Sequence, residues 1–149
     1  MIISSSAFEN SGVIPERYTC DGDNINPSLN IKSVPAGAKS LVLVVDDPDA
    51  PAGSWIHWTV WNINPETAAI AEGSVSPGAV EGVTSFGSIG YGGPCPSVGA
   101  HRYFFKLFAL DTILELKSGA TYGELESMMS GHILAKTELM GQYQRGTLR

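Results

Sequence analysis

Two stretches of this chain hold most of the residues that could do chemistry. The first, Asp46-Asp47-Pro48-Asp49-Ala50-Pro51-Ala52-Gly53-Ser54-Trp55-Ile56-His57-Trp58, crowds three carboxylates, two prolines, two tryptophans and a histidine into one connection. The second runs from Gly87 to Tyr103 and contains Gly90-Tyr91-Gly92-Gly93-Pro94-Cys95-Pro96 and then His101-Arg102-Tyr103. If the two loops meet, they line one pocket. Two histidines can each donate a ring N–H, and both become cationic when protonated. Backbone N–H groups of a glycine-rich turn can point at an oxyanion without side-chain obstruction. Asp47 has the wrong sign for an anion site, but a carboxylate bonded to an imidazole fixes its tautomer and keeps the ring a donor. Prolines on both loops stiffen the walls and lower the ordering cost of binding. These residue types favour capture of a small anion, a phosphate or a carboxylate, by His57 and His101.

Each feature has a plainer reading on its own. Asp-Pro-Asp is ordinarily a turn, and a histidine before Trp58 in a strand is ordinarily a core residue. Gly90 to Gly93 fits no phosphate-binding helix motif, because no helix follows it. Two histidines and an aspartate are also the ligand set of a non-haem iron site, and His with Asp could serve acid–base chemistry. Against an enzyme, no Ser or Cys sits in a nucleophile motif, and neither His-x-His nor His-Glu-x-x-His spacing occurs. A binding protein without catalytic residues, cofactor or metal is the expectation. Met128 and Met129 read as core residues, and His132, after a helix end, is assigned no function.

The elements that must position these loops are mostly strands. Gly (17) and Pro (9) are plentiful, which favours strands joined by structured loops. Residues 1–9 read as a short strand, and Leu29 and Ile31 as a brief one. Leu41-Val42-Leu43-Val44-Val45 is a continuous apolar run, the pattern of a strand buried on both faces. Ile56 to Ile63 is β-prone, with Ile56, Trp58, Val60 and Asn62 on one face and His57, Thr59, Trp61 and Ile63 on the other. Residues 66–100 have little periodicity, a length that marks a functional or a disordered loop, and the aromatic and proline content near 86–96 favours order. Tyr103 to Leu110 is a strong strand. Thr121-Tyr122-Gly123-Glu124 has the spacing of a capping box opening one short helix with a Leu125, Met128, Met129 stripe, and Gly131 suits its C′ position. From Ile133 to Tyr143 the apolar residues alternate, which predicts a last strand. The sum is a mostly antiparallel β-sandwich with one helix.

A chain of 149 residues fits one domain over 1–149, with 146–149 read as a tail. The net charge is −6 with no Lys/Arg cluster, so a broad nucleic-acid surface is not expected. No signal peptide or membrane-length apolar run is visible, which makes the cytoplasm the expected location and integral membrane association unexpected. Cys20 and Cys95 are too few for a disulfide scaffold. Free thiols are the expectation, with Cys95 packed between prolines; a single bridge is the alternative.

Asp47-Pro48-Asp49-Ala50-Pro51, His57-Trp58, Gly93-Pro94 and His101-Arg102-Tyr103 together resemble the phosphatidylethanolamine-binding protein family, and in particular its prokaryotic branch of Raf-kinase-inhibitor-like proteins. Tyr18-Thr19-Cys20-Asp21-Gly22, Gly90 to Pro96, Gly131-His132-Ile133-Leu134-Ala135 and Gly141-Gln142-Tyr143-Gln144-Arg145 look like that branch too. The resemblance covers nearly the whole chain. It implies a Greek-key-like β-sandwich with a small anion pocket at one end. Carried over by motif, the pocket would use Asp47, Pro51, Trp55, His57, Gly93, His101 and Tyr103. The implied ligands are small anions such as phosphate, phosphorylethanolamine-like head groups or acetate; the implied partners are a kinase or a serine protease, and a second copy in a homodimer. Protease inhibition would need an exposed, rigid loop presenting a suitable side chain, for which residues 66–90 are the long candidate. One departure is visible: near Pro27-Ser28-Leu29-Asn30-Ile31 the family often has a second proline and a tryptophan, where Ser28 and Ile31 stand here.

Overall fold

The computed structural model describes residues 1–146; of the expected tail, 147–149 lie outside the described residues. The strands are β1 (Ile2–Ser4), β2 (Gly12–Val13), β3 (Leu29–Lys32), β4 (Ser40–Asp47), β5 (Trp55–Ile63), β6 (Ala69–Ile70), β7 (Val80–Glu81), β8 (His101–Leu110) and β9 (Ile133–Tyr143). One α-helix, α1 (Tyr122–Met129), precedes β9. They form a three-stranded sheet, β1-β3-β6, and a six-stranded sheet, β2-β9-β8-β4-β5-β7. All pairings between these strands are antiparallel except β2 with β9. Within the larger sheet β8 lies beside β4, giving the spatial order β8-β4-β5-β7 of a Greek key.

The large sheet is covered on both faces, which explains why β4 does not alternate. Leu41, Leu43 and Val45 face the small sheet, in a core with Ile3, Leu29, Ile31, Ile70, Trp58, Phe105 and Leu107. Val42 and Val44 face α1, in a second core with Trp61, Phe108, Leu110, Leu125 and Met129. Every residue of β4 is buried, and each such apolar side chain contributes roughly 1.5–3 kcal/mol relative to exposure. The helix starts as its sequence dictates: the Thr121 hydroxyl accepts the Glu124 N–H while the Glu124 carboxylate accepts the Thr121 N–H. Gly131 then takes the left-handed conformation, φ +83°. Met128 departs from the expected stripe and is 37% exposed, because α1 turns only Leu125 and Met129 fully inward.

Two bulges in β5 overturn the simple alternation expected there. Val45 pairs with Trp58 but Asp46 with Ile56, so His57 is an extra residue. Such a bulge re-aims side chains: His57 packs on Tyr103 of the inner layer while its neighbour Trp58 also lies in the inner core. The second falls between the pairs Leu41–Ile63 and Leu43–Val60, where Asn62 sits at φ +55°. Its amide brackets Leu114, donating to the Leu114 carbonyl and accepting the Leu114 N–H, each at 2.8 Å. The extra residue moves Ile63 to the same core as Trp58 and Val60, away from Trp61.

The expectation of free thiols is also corrected. Cys20 and Cys95, 75 residues apart, form a disulfide with Cα atoms 5.4 Å apart. The Cys20 N–H donates to the Pro94 carbonyl, so the two segments already run side by side. The long 66–100 connection is structured: it contributes β6 to one sheet, β7 to the other, and a Val83–Ile89 bridge. No described helix is long and apolar enough to cross a membrane.

Candidate functional site

The end of β4, the bulged start of β5 and the start of β8, neighbouring interior strands, converge at one end of the sandwich. They line a cavity of about 170 Å³ together with Ala50, Phe86, Cys95, Pro96 and Ser97. Of the residues expected from the sequence, Asp47, Pro51, Trp55, His57, His101 and Tyr103 all reach this cavity. Gly93 does not line it. A Cβ there would collide with the Tyr18 carbonyl, with Asn24 Oδ1 at 2.5 Å and with Thr19 Cα at 2.9 Å. Gly93 is thus a close-approach residue that lets the glycine-rich loop lie against the 18–24 turn.

The two imidazoles are held by different acceptors. His57 Nδ1 lies 2.6 Å from the Gly92 carbonyl oxygen, and the Gly92 N–H donates back to the His57 carbonyl. His101 Nδ1 lies 2.6 Å from Asp47 Oδ2. A carbonyl can only accept, so His57 carries its proton on Nδ1; the Asp47 carboxylate, as an acceptor, sets the same tautomer on His101. Both Nδ1–H groups are therefore committed within the protein, and Nε2 is the nitrogen left to each ring. A neutral ring offers an acceptor there; a protonated one offers a donor and a positive charge. Burial holds the His57 pKa below the ordinary 6.5, outweighing the Gly92 carbonyl and the Asp47 charge, which act the other way.

Around them the wall is aromatic. Phe86 meets Trp55 and His57 edge-on, with centroids 5.5 and 5.2 Å away. His57 meets Tyr103 edge-on at 5.2 Å, while His101 lies nearly parallel to Tyr103 at 6.4 Å. The Tyr103 hydroxyl is buried without a hydrogen bond of good geometry. Burial, with Asp47 nearby, pushes its pKa up; the backbone of Cys95 offsets this only in part. The loop carrying Pro51 is fastened at its base. Asp47 Oδ1 accepts the Asp49 N–H, and the Asp49 carboxylate accepts the Arg102 N–H, Nε and Nη2 at 2.9–3.0 Å. The Arg102 guanidinium holds the Asp49 carboxyl at about 2.

Ala50, Phe86, Cys95, Pro96 and Ser97 line the cavity without having been expected there; for Phe86, its aromatic type in a Gly/Ser-rich segment was the available signal. A larger cavity of about 490 Å³ runs along residues 64–77, but its sole ionisable lining residue is Glu66; cavities of about 290 and 320 Å³ near Lys106 and Lys136 carry charged residues but no histidine. Among the described residues no group of three or more His, Cys, Asp or Glu is arranged to hold a metal ion.

Comparison with known proteins agrees with this architecture. The family model described as phosphatidylethanolamine-binding protein matches residues 4–144. A UPF0098 protein of Methanothermobacter thermautotrophicus is 47% identical, the match covering 98% of this chain and all of the relative. A phosphatidylethanolamine-binding protein homologue of Chlamydia trachomatis superposes with a TM-score of 0.92 at 44% identity, over 96% of each chain. Escherichia coli YbcL, described as a member of the mammalian family, superposes with a TM-score of 0.89 at 30% identity, over 95% of this chain and 96% of that one. With a family match over residues 4–144 and relatives matched over nearly their whole length, the chain belongs to the phosphatidylethanolamine-binding protein family.

Proposed function

We propose that this protein is a non-enzymatic binding protein whose cavity takes a phosphate or a phosphorylated head group, and that the anion enters together with a proton. The observation that carries this is the pair of imidazoles on one cavity with both Nδ1–H groups already bonded to protein acceptors. An anion can be received by Nε2 only if the ring gains a proton or the ligand keeps one. A hydrogen phosphate ester satisfies both routes. The volume of about 170 Å³ is below the roughly 300–1,000 Å³ of pockets for drug-sized ligands, which suits a head group rather than a whole lipid. Trp55, Phe86 and Pro51 give this small polar site an apolar surround for the substituent.

The same reading keeps Asp47, Pro51, Trp55, His57, His101 and Tyr103 as ligand-facing residues and assigns Gly93 to the scaffold. Calorimetric titration with phosphorylethanolamine tests the proposal. Binding to the native protein and its loss in His101→Ala are expected; equal affinity in the two proteins would overturn it.

A further inference from the structure

The cavity has one wall whose support is covalent. Cys95, Pro96 and Ser97 all line it. Up to Pro94 this segment is held by hydrogen bonds: Gly92 to His57, Gly93 N–H to Asn24 Oδ1 at 2.7 Å, and Cys20 N–H to the Pro94 carbonyl at 3.1 Å. Beyond Cys95 the hydrogen bonds stop, and only the buried Pro96 is still packed. Among the described residues, none from Pro96 to Ala100 makes a hydrogen bond, and Ser97 to Ala100 are exposed. The next anchor is His101, where β8 begins. The Cys20–Cys95 bridge is thus the last tie on this wall before β8 other than the packing of Pro96.

We propose that the Cys20–Cys95 disulfide is a redox-sensitive latch on the ligand cavity: closed, it holds the 95–97 wall in place; reduced, it releases that wall and weakens anion binding. The inference rests on the anion-pocket reading above. Cys95 is exposed, so a dithiol reductant can reach it. Its thiolate attacks Cys95 Sγ, the S–S bond breaks, and Cys20 leaves as a thiolate that takes a proton. The second thiol of the reductant then displaces Cys95 from the mixed disulfide. Two electrons pass to the protein, and the reductant ends as a disulfide. Disulfides that serve redox sensing open and close by this exchange. Neither histidine depends on it directly, since His57 is held by Gly92 and His101 by Asp47. Reduction should therefore leave the sandwich intact and act on the wall alone.

The test uses the full chain, oxidised and after reduction with dithiothreitol, with the Cys20→Ser/Cys95→Ser double variant as a second reduced state. Inorganic phosphate is the probe for calorimetry, circular dichroism follows the fold, and backbone NMR order parameters follow residues 97–100. The expected result is phosphate affinity at least about tenfold weaker on reduction, because the wall must now be ordered on binding, with dichroism unchanged and affinity restored on re-oxidation. Phosphate affinity equal in the two states overturns the proposal, as does loss of the folded dichroism signal, which would make the bridge a structural staple. If even the oxidised protein binds no phosphate, the anion-pocket reading fails by itself. The order parameters then decide the latch: a fall on reduction to below about 0.6 supports it, and unchanged values overturn it.

Discussion

Replacing Gly93 by alanine should damage this protein more than its single added methyl group implies. Gly93 is buried and does not adopt a positive φ, so space rather than backbone conformation requires the glycine. The added Cβ would press on the Tyr18 carbonyl, Thr19 Cα and Asn24 Oδ1. Two of the three are backbone, so rotating a side chain cannot relieve the clash. Overpacking of this kind costs typically about 1–3 kcal/mol. Moving Asn24 away also loses its bond from the Gly93 N–H, about 0.5–1.5 kcal/mol net. The sum, about 2–4 kcal/mol, corresponds for a chain of this size to a fall in melting temperature of roughly 5–15 °C. Gly37→Ala is the control, since only Leu134 Cδ1 lies near its added Cβ, at 3.7 Å; it should change stability by less than about 1 kcal/mol. Thermal unfolding of both variants, followed by circular dichroism, measures the difference. A Gly93→Ala protein melting within about 2 °C of the native one would refute the close-approach role, and with it the reassignment of Gly93 from ligand to scaffold.

Three further outcomes follow from the same geometry. Tyr103→Phe removes a buried hydroxyl that lacks a good partner, so it should leave the ligand-free protein as stable or raise its stability by about 1 kcal/mol; clear destabilisation in a urea titration would show that the hydroxyl is satisfied. Thr121→Ala opens the capping box of α1 and should cost about 1 kcal/mol, with no effect on ligand binding in a side-by-side titration. His57 gives a pH dependence of fixed sign. Its pKa is lower in the folded protein than the ordinary 6.5, so the native state binds fewer protons than the unfolded one. Stability from this group is therefore complete above the unfolded value and declines as pH falls through 6.5 toward the folded value. Melting temperatures of the native protein and His57→Gln between about pH 7.5 and pH 5 should show the steeper acid loss in the native protein; parallel curves would contradict it.

Much of the scaffold was legible because its signals are local. The continuous apolar run of β4, the aromatic run of β8 and the alternation of β9 each announce a strand within a few residues. The Thr121–Glu124 box marks a helix start from four. The cavity residues were legible for another reason: they lie in two compact motifs rather than being scattered, and all but Gly93 reach the cavity. What was not legible depends on pairing between distant segments. The bulges at His57 and Asn62 exist because β4 and β5 fall out of step by one residue, which no alternation within β5 records. The Cys20–Cys95 bridge joins residues 75 positions apart, and two cysteines beside turns look the same whether paired or free. Gly93 sits in a motif with ligand-facing neighbours, and the contact that requires it comes from the 18–24 turn, remote in sequence.

The most direct test of the anion-with-proton mechanism is calorimetric titration with inorganic sulfate, whose own charge does not change across the range, at about pH 6 and about pH 8. Each titration is repeated in buffers of different ionisation enthalpy, which counts the protons taken up on binding. Tighter binding at the lower pH with net proton uptake is the expected result, because both Nδ1–H groups are committed to Gly92 and Asp47 and Nε2 can meet an aprotic anion only when protonated. Equal affinity at both pH values with no proton uptake would contradict it, and would mean that the histidines do not receive the anion.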